Sequence, residues 1–184
     1  EQEGTAFITG DGVNKPRGLL GYGTVADANW AWGKLGFIAS GVAAALTDET
    51  HNGGDALIDL TYALKQGYRQ NAGWIMNRKT ASTVRKLKDG NDNYLWQPGL
   101  TVGQPSTLLG YAVADDDNMD DIGAGKFPIG FGDFQRGYLI VDRQGVRVLR
   151  DPFSSKPYVL FYTTKRVGGG VQNFQAIKLL KISA

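Results

Sequence analysis

Between Ile129 and Asp151 the chain reads Ile-Gly-Phe-Gly-Asp-Phe-Gln-Arg-Gly-Tyr-Leu-Ile-Val-Asp-Arg-Gln-Gly-Val-Arg-Val-Leu-Arg-Asp, and this stretch constrains the fold more than any other. Tyr138 to Val141 is a β-branched and aromatic run, Asp142 to Gly145 are turn residues, and Val146 and Val148 alternate with Arg147 beyond them. The pattern predicts a hairpin with one buried face. A second strand signal, Tyr158 to Thr164, follows a Pro-bounded loop. After Gly168-Gly169-Gly170, read as a loop, comes a last apolar run, Ala176 to Leu180. The C-terminal third is therefore β-rich.

A length of 184 residues suffices for one good core, or for two small lobes sharing one. The 26 glycines are about twice the usual frequency and follow no Gly-X-Y period, which points to many turns. Twenty basic groups against 18 acidic ones leave a formal charge of +2, too little to hold nucleic acid or an anionic membrane by charge. Cysteine is absent, which removes disulfides, thiolate nucleophiles and sulfur-ligated zinc. No window approaches 18 consecutive apolar residues and no signal peptide opens the chain, so a soluble protein is expected. The start at Glu1, close before the turn Gly10-Asp11-Gly12, suggests the remainder of a longer chain cut by processing, proteolysis or design.

Glu1 to Ile8 fits the last turns of a helix, Thr9 to Gly23 a loop, and Lys34 to Ser40 a strand. Ala26 to Trp32 fits either helix or loop, and Thr47 to Gly54 reads as a surface loop. Asp55 is placed to cap a helix in which Leu57, Leu60, Ala63 and Leu64 share a face up to Gly67. Trp74 to Met76 is a short buried strand, and Asn77 caps a second helix whose apolar face is Thr80, Val84 and Leu87 and which Gly90 ends. Its basic residues, from Arg78 to Lys88, read as a solvated face. Leu108 to Val113 is another strand, followed by an acidic loop from Asp115 to Asp121. Helices and strands mixed without strict βαβ alternation predict an α+β fold.

A search for chemistry yields little. His51 is the only histidine, in a polar loop, and without a second His or a Cys it cannot anchor a transition metal. No nucleophile elbow is present for it to serve. Asp115, Asp116, Asp117, Asp120 and Asp121 form the densest charge cluster. They read first as a solvated acidic loop and second as a calcium or magnesium site, although the spacing is not that of an EF-hand. Gly18 to Gly23 and Gly168 to Gly170 match no phosphate-binding fingerprint. The four tryptophans, Trp30, Trp32, Trp74 and Trp96, read as core or interface residues. No catalytic residue and no cofactor are expected.

Seven motifs, however, stand in a familiar order: Gly10-Asp11-Gly12 with Pro16-Arg17-Gly18-Leu19-Leu20, Trp74-Ile75-Met76-Asn77, Lys86-Leu87-Lys88-Asp89, Tyr94-Leu95-Trp96-Gln97-Pro98, Leu108 to Val113, Phe131-Gly132-Asp133-Phe134 and Lys165-Arg166-Val167-Gly168-Gly169. Together they resemble the C-terminal part of the major capsid proteins of tailed bacteriophages and prophages, the family with the Hong Kong 97 fold.

That resemblance implies an HK97-like α+β chain lacking the N-terminal arm, the extended loop and most of the spine helix. Residues 1–15 would be the end of the spine helix and a turn, 16–145 an axial domain, 146–168 strands of the peripheral domain, and 169–184 a strand returning to the axial domain. It implies a structural protein of the virion, present in host cytoplasm during assembly, whose partners are its own copies in pentamers and hexamers of an icosahedral shell around the genome. Other phage head proteins, such as portal, scaffold or protease, would also be partners; sequence-specific nucleic acid and membrane would not. The Asp115 to Asp121 loop would lie near the capsomer axis, where crowded charge needs solvation, screening or bridging cations. Some members weld subunits through a Lys-Asn isopeptide bond assisted by Glu. Pro157 and Thr164 fall where that Asn and Glu would be, so no self-crosslinking is expected. Two rivals remain at this stage: an encapsulin-like compartment, and an enzyme or ligand-binding domain using the acidic loop and the tryptophans.

Overall fold

The computed structural model describes residues 2–89, 91–96 and 106–184. Its centre is a seven-stranded sheet made of β1 (Thr24–Ala26), β2 (Leu35–Ala39), β3 (Gly73–Met76), β4 (Thr107–Leu108), β5 (Tyr111–Asp115), β6 (Ile129–Gly132) and, past an excursion of the chain, β9 (Ile177–Lys181). The spatial order is β1-β2-β9-β6-β3-β5-β4. Pairing is parallel for β1/β2, β2/β9 and β3/β5, and antiparallel for β9/β6, β6/β3 and β5/β4. Such a mixed sheet, with no run of βαβ units, agrees with the mixed helix-and-strand fold expected.

The two central strands are the most apolar, because they are covered on both sides. All four residues of β6 are buried, as are Ile177 to Leu180 of β9. On one face Trp74, Met76, Ile129, Phe131 and Leu180 pack under α2 (Gly53–Ala63) and α4 (Arg78–Arg85), through Leu57, Leu60 and Val84. On the other, Leu35, Ile177 and Leu179 meet Leu19 and Phe174, with Tyr22, Trp30 and Phe134 around them. Gly132 permits a close approach of β6 to β9, since a Cβ there would lie 2.2 Å from the Ala176 carbonyl oxygen. Over Gly36 of β2, buried Lys178 of β9 pairs with the half-buried Asp27 of the turn that follows β1.

The helix α1 (Gln2–Thr9) is formed as expected from Glu1 to Ile8, for the residues described. Asn77 caps α4, its Oδ1 accepting the Thr80 N–H at 2.7 Å. Two helix boundaries differ from expectation. The cap of α2 is Asn52, which accepts the Gly54 N–H at 3.0 Å, so Gly53 and Gly54 are helical and Asp55 sits in the first turn. That helix also stops at Ala63, where Leu64 turns extended, and the chain makes a separate turn, α3 (Gln66–Arg69). α4 ends at Arg85 with Lys86 as its cap; Gly90 lies outside the described residues, as do Gln97 and Pro98.

Three strand expectations are corrected. Leu108 to Val113 is not one strand but a tight hairpin: Leu109 and Gly110 both take positive φ, 52° and 84°, the backbone of a type I′ turn. Asp142 to Gly145 do not turn. They lie inside β7 (Tyr138–Asp151), which leaves the sheet after the short helix α5 (Phe134–Gly137) and pairs along its length with β8 (Leu160–Val171). The register shifts between Asp142 and Gln144 and again between Gln144 and Arg147, so the four polar residues are absorbed as a bulge. Gly168 to Gly170 are likewise strand, not loop. Gly169 and Gly170 are crowded by Phe7 of α1, Tyr138 and Tyr22: a Cβ on Gly169 would lie 3.0 Å from Phe7 and one on Gly170 2.8 Å from the Tyr22 hydroxyl. Nor does the β7–β8 ribbon have one buried face, for both faces are largely exposed.

Candidate assembly surfaces

The ribbon is the most conspicuous surface. Beyond its base, Leu139, Ile140, Val146, Val148, Leu149, Phe153, Tyr158, Phe161 and Tyr162 are all exposed, Phe153 by 80%. Isolated exposed apolar side chains are ordinary, but a two-stranded arm carrying them on both faces is an unpartnered surface. At its base the arm is fixed to α1: Lys165 Nζ lies 3.0 Å from Glu3 and 3.4 Å from Asp142, and these contacts raise the pKa of the lysine, the Glu3 bond most. The Tyr138 hydroxyl donates to the Arg17 carbonyl at 2.8 Å, and burial pushes its pKa up to about 12.

A second unpartnered face is the outer side of α2. Asp55, Ile58, Asp59 and Tyr62 recur at helical spacing and are exposed, Tyr62 by 72%. Beside Ile58 an apolar groove of about 160 Å³ runs between α2 and α4, lined by Leu57, Val84, Leu87, Leu95, Trp96 and Leu109. Sequence patterning pointed to none of this, because Ile58 and Tyr62 look like ordinary members of an amphipathic helix.

The acidic loop is less naked than its composition suggests. Asp117 is held by both nitrogens of a bidentate Arg78 at 2.9 and 3.0 Å. Asp121 takes Lys79 Nζ at 2.8 Å and Asn77 Nδ2 at 2.7 Å; the lysine depresses its pKa, and Asp121 raises that of Lys79 in return. Asp120 accepts the Phe127 N–H and faces Lys126 at 3.5 Å. Asp116 caps Asn118, and Asp115 ends β5 without an ion pair among the described residues. These groups surround an open concavity of about 690 Å³ in which positive and negative charges alternate. No three Asp, Glu or His side chains converge as a metal-binding group among the described residues.

The basic residues from Arg78 onward, expected to be a solvated face, thus divide. Arg78 and Lys79 hold aspartates, Lys88 pairs with Asp92 at 3.2 Å, and Arg85 lies over the Trp96 ring at 5.1 Å. Lys86 is exposed and unpartnered among the described residues. The His51 ring hydrogen-bonds with Asp48 and Thr50 and lies close over Gly41; the Thr50 and His51 backbone N–H groups, with the Thr50 hydroxyl, bring the Asp48 pKa down to about 2. Trp74 and Trp96 are core residues, while Trp32 is exposed and stacks edge-on with Trp30 and Phe174. No described helix is long and apolar enough to cross a membrane.

A model of the phage capsid family matches residues 1–182. The chain belongs to that family. Among solved structures this phage capsid family chain is similar to the capsid of an empty GTA particle computed with C5 symmetry, at 51% identity and a TM-score of 0.92, over 100% of this chain and 62% of that one. It is equally similar, at 51% identity and a TM-score of 0.91, to the capsid of a native GTA particle, of which it covers 61%. A chain of Gordonia phage Cozz shares the fold, with a TM-score of 0.55 at 15% identity over 100% of this chain and 59% of that one. This capsid-family chain therefore spans about three-fifths of the length of the GTA capsid chains. A comparison with curated proteins matched none.

Proposed function

We propose that this chain is the larger part of a head-shell subunit that associates with copies of itself around a symmetry axis, in pentamers and hexamers of an icosahedral particle enclosing a genome. The observation that carries the reading is the β7–β8 arm, apolar and exposed on both faces, in a chain of the phage capsid family. A free monomer gains nothing from such an arm; a subunit that lays it on its neighbours buries it many times over in a closed lattice. The similarity to GTA capsids determined under fivefold symmetry supports the ring.

In the finer reading the fold is HK97-like. The seven-stranded sheet with α2 and α4, residues 16–145 together with 169–184, is the axial domain. Residues 1–15 and 146–168 belong to the peripheral domain, and the N-terminal arm, the extended loop and most of the spine helix of such a fold have no counterpart among these residues. The protein works without a catalytic group, forms no isopeptide crosslink through Pro157 and Thr164, and resides in the virion after assembly in host cytoplasm. Portal, scaffold or protease would be its other contacts. Sedimentation velocity of the protein expressed from its complete coding sequence tests this: a fast, uniform boundary of assembled particles is expected, and a single monomer boundary at all concentrations would refute it.

A further inference from the structure

Four carboxylates, Glu49, Asp55, Asp59 and Asp115, have neither an ion pair nor a side-chain hydrogen bond among the described residues. Asp55 and Asp59 lie in the first two turns of α2, and Glu49 in the loop just before it. Asp55 and Asp59 line the flank shared with Ala39, the last residue of β2, and Ser40 beyond it. Two cations without an ion pair among the described residues stand at the end of α4, where Arg85 lies over the Trp96 ring and Lys86 touches nothing charged; Arg69, also without an ion pair, lies over the Tyr62 ring beside α2 and offsets part of the acidic charge there. This second flank is shared with Ser106 and with Asp115 at the end of β5.

α2 and α4 lie side by side on one face of the sheet, with the Ile58–Leu109 groove between them. β2 and β5 are four strand intervals apart, roughly 19 Å at ordinary spacing. The acidic flank therefore cannot neutralise the basic one within a chain. A ring closed by rotation, by contrast, needs two different patches that fit each other, one on each side of the subunit. Exposed Ile58 and Tyr62 border the acidic patch, so the contact would have an apolar component as well as a charged one.

We infer that the α2 flank bearing Glu49, Asp55 and Asp59 of one copy docks against the α4 flank bearing Arg85 and Lys86 of the next, head to tail around the capsomer axis. This rests on the ring reading proposed above and adds the faces that meet and their polarity. Asp115, on the basic flank, is the one opposing charge there and limits how much of the acidic patch that flank attracts.

The test uses the protein from its complete coding sequence in two charge-reversed forms, Asp55→Lys with Asp59→Lys, and Arg85→Glu with Lys86→Glu. All four side chains are exposed, but the reversals oppose the dipoles at the start of α2 and the end of α4, so each form should stay folded and unfold only a few degrees below the unmodified protein. Each form alone presents two flanks of one sign and should lose ring formation at least tenfold. Mixed one to one, they should regain it, since each junction then pairs unlike charges, and they should do so in even-numbered rings only. Assembly of either form alone at the unmodified level, or failure of the mixture to recover, overturns the inference while unmodified protein still assembles. If the unmodified protein itself forms no ring, it is the ring reading that fails.

Discussion

At the scale of single residues, the strongest dependence falls on Asn77. Its Oδ1 caps α4, while Nδ2 donates to the carbonyls of Met119 and Asp120 at 3.1 and 3.0 Å and to Asp121. Asn77→Ala should destabilise the fold by about 2 to 4 kcal/mol, a lost cap plus carbonyls left buried without a donor. Asn77→Asp should not rescue it, since the cap survives but a carboxylate then faces Asp121; chemical denaturation reads both. The cap was legible because Asn precedes a helical pattern with nothing competing. The Asn52 cap was not: Gly53 and Gly54 suggest loop, and only the packing of Gly53 against Leu46 makes them helical. Lys178 with Asp27 was equally invisible, a pair 151 residues apart in a strand that reads as apolar. Lys178→Met should cost about 3 kcal/mol, the low end for breaking a buried pair, since the Asp27 side chain is 27% exposed. Replacing both, Lys178→Met with Asp27→Leu, should recover much of it. Asp48 offers a pH prediction. Its carboxylate is held down to about 2 against 3.8 for the free group, so the order it brings to the 47–52 loop is complete above about pH 4 and lost as pH falls towards 2. The Thr50 and His51 amide signals should shift over that interval in an NMR titration.

At the scale of elements, β9 could be read from its mostly apolar run and α4 from its period, whereas β6, with glycine at every second position, could not be read as a strand. Nor could the ribbon. Asp142-Arg143-Gln144-Gly145 is a reasonable turn, yet the same residues fit a bulge when both flanks have a long partner to pair with. Val146 alternating with Arg147 and Val148 suggested a core-facing side, but nothing among the described residues covers either side there. The alternation is legible while the partner is not, which is what a surface meant for another copy looks like from one sequence. Leu149→Lys combined with Tyr162→Lys, residues opposite each other on the arm, should therefore leave thermal unfolding of the isolated chain within about 0.5 kcal/mol. The same pair should block assembly of the protein from its complete coding sequence, as light scattering would report. Ordinary assembly by that variant would mean the arm is not an interface.

At the scale of the whole molecule, near-neutral net charge hides a separation into patches that composition alone cannot reveal. The acidic loop looked like a place where copies would crowd negative charge and need a divalent cation between them. In the folded chain Arg78, Lys79 and Lys126 already sit on Asp117, Asp121 and Asp120. Chelation with EDTA should then leave assembly unchanged, whereas disassembly reversed by magnesium or calcium would place cations between neighbouring loops. Exposed pairs of this kind are individually weak and screened by salt, so in the proposed shell they would remove repulsion more than hold subunits together. The central claim is that these surfaces exist to be covered by copies of the same chain. Electron microscopy of the protein expressed alone from its complete coding sequence tests it most directly: closed particles of uniform diameter are predicted, and a field of dispersed single subunits at high concentration would contradict it.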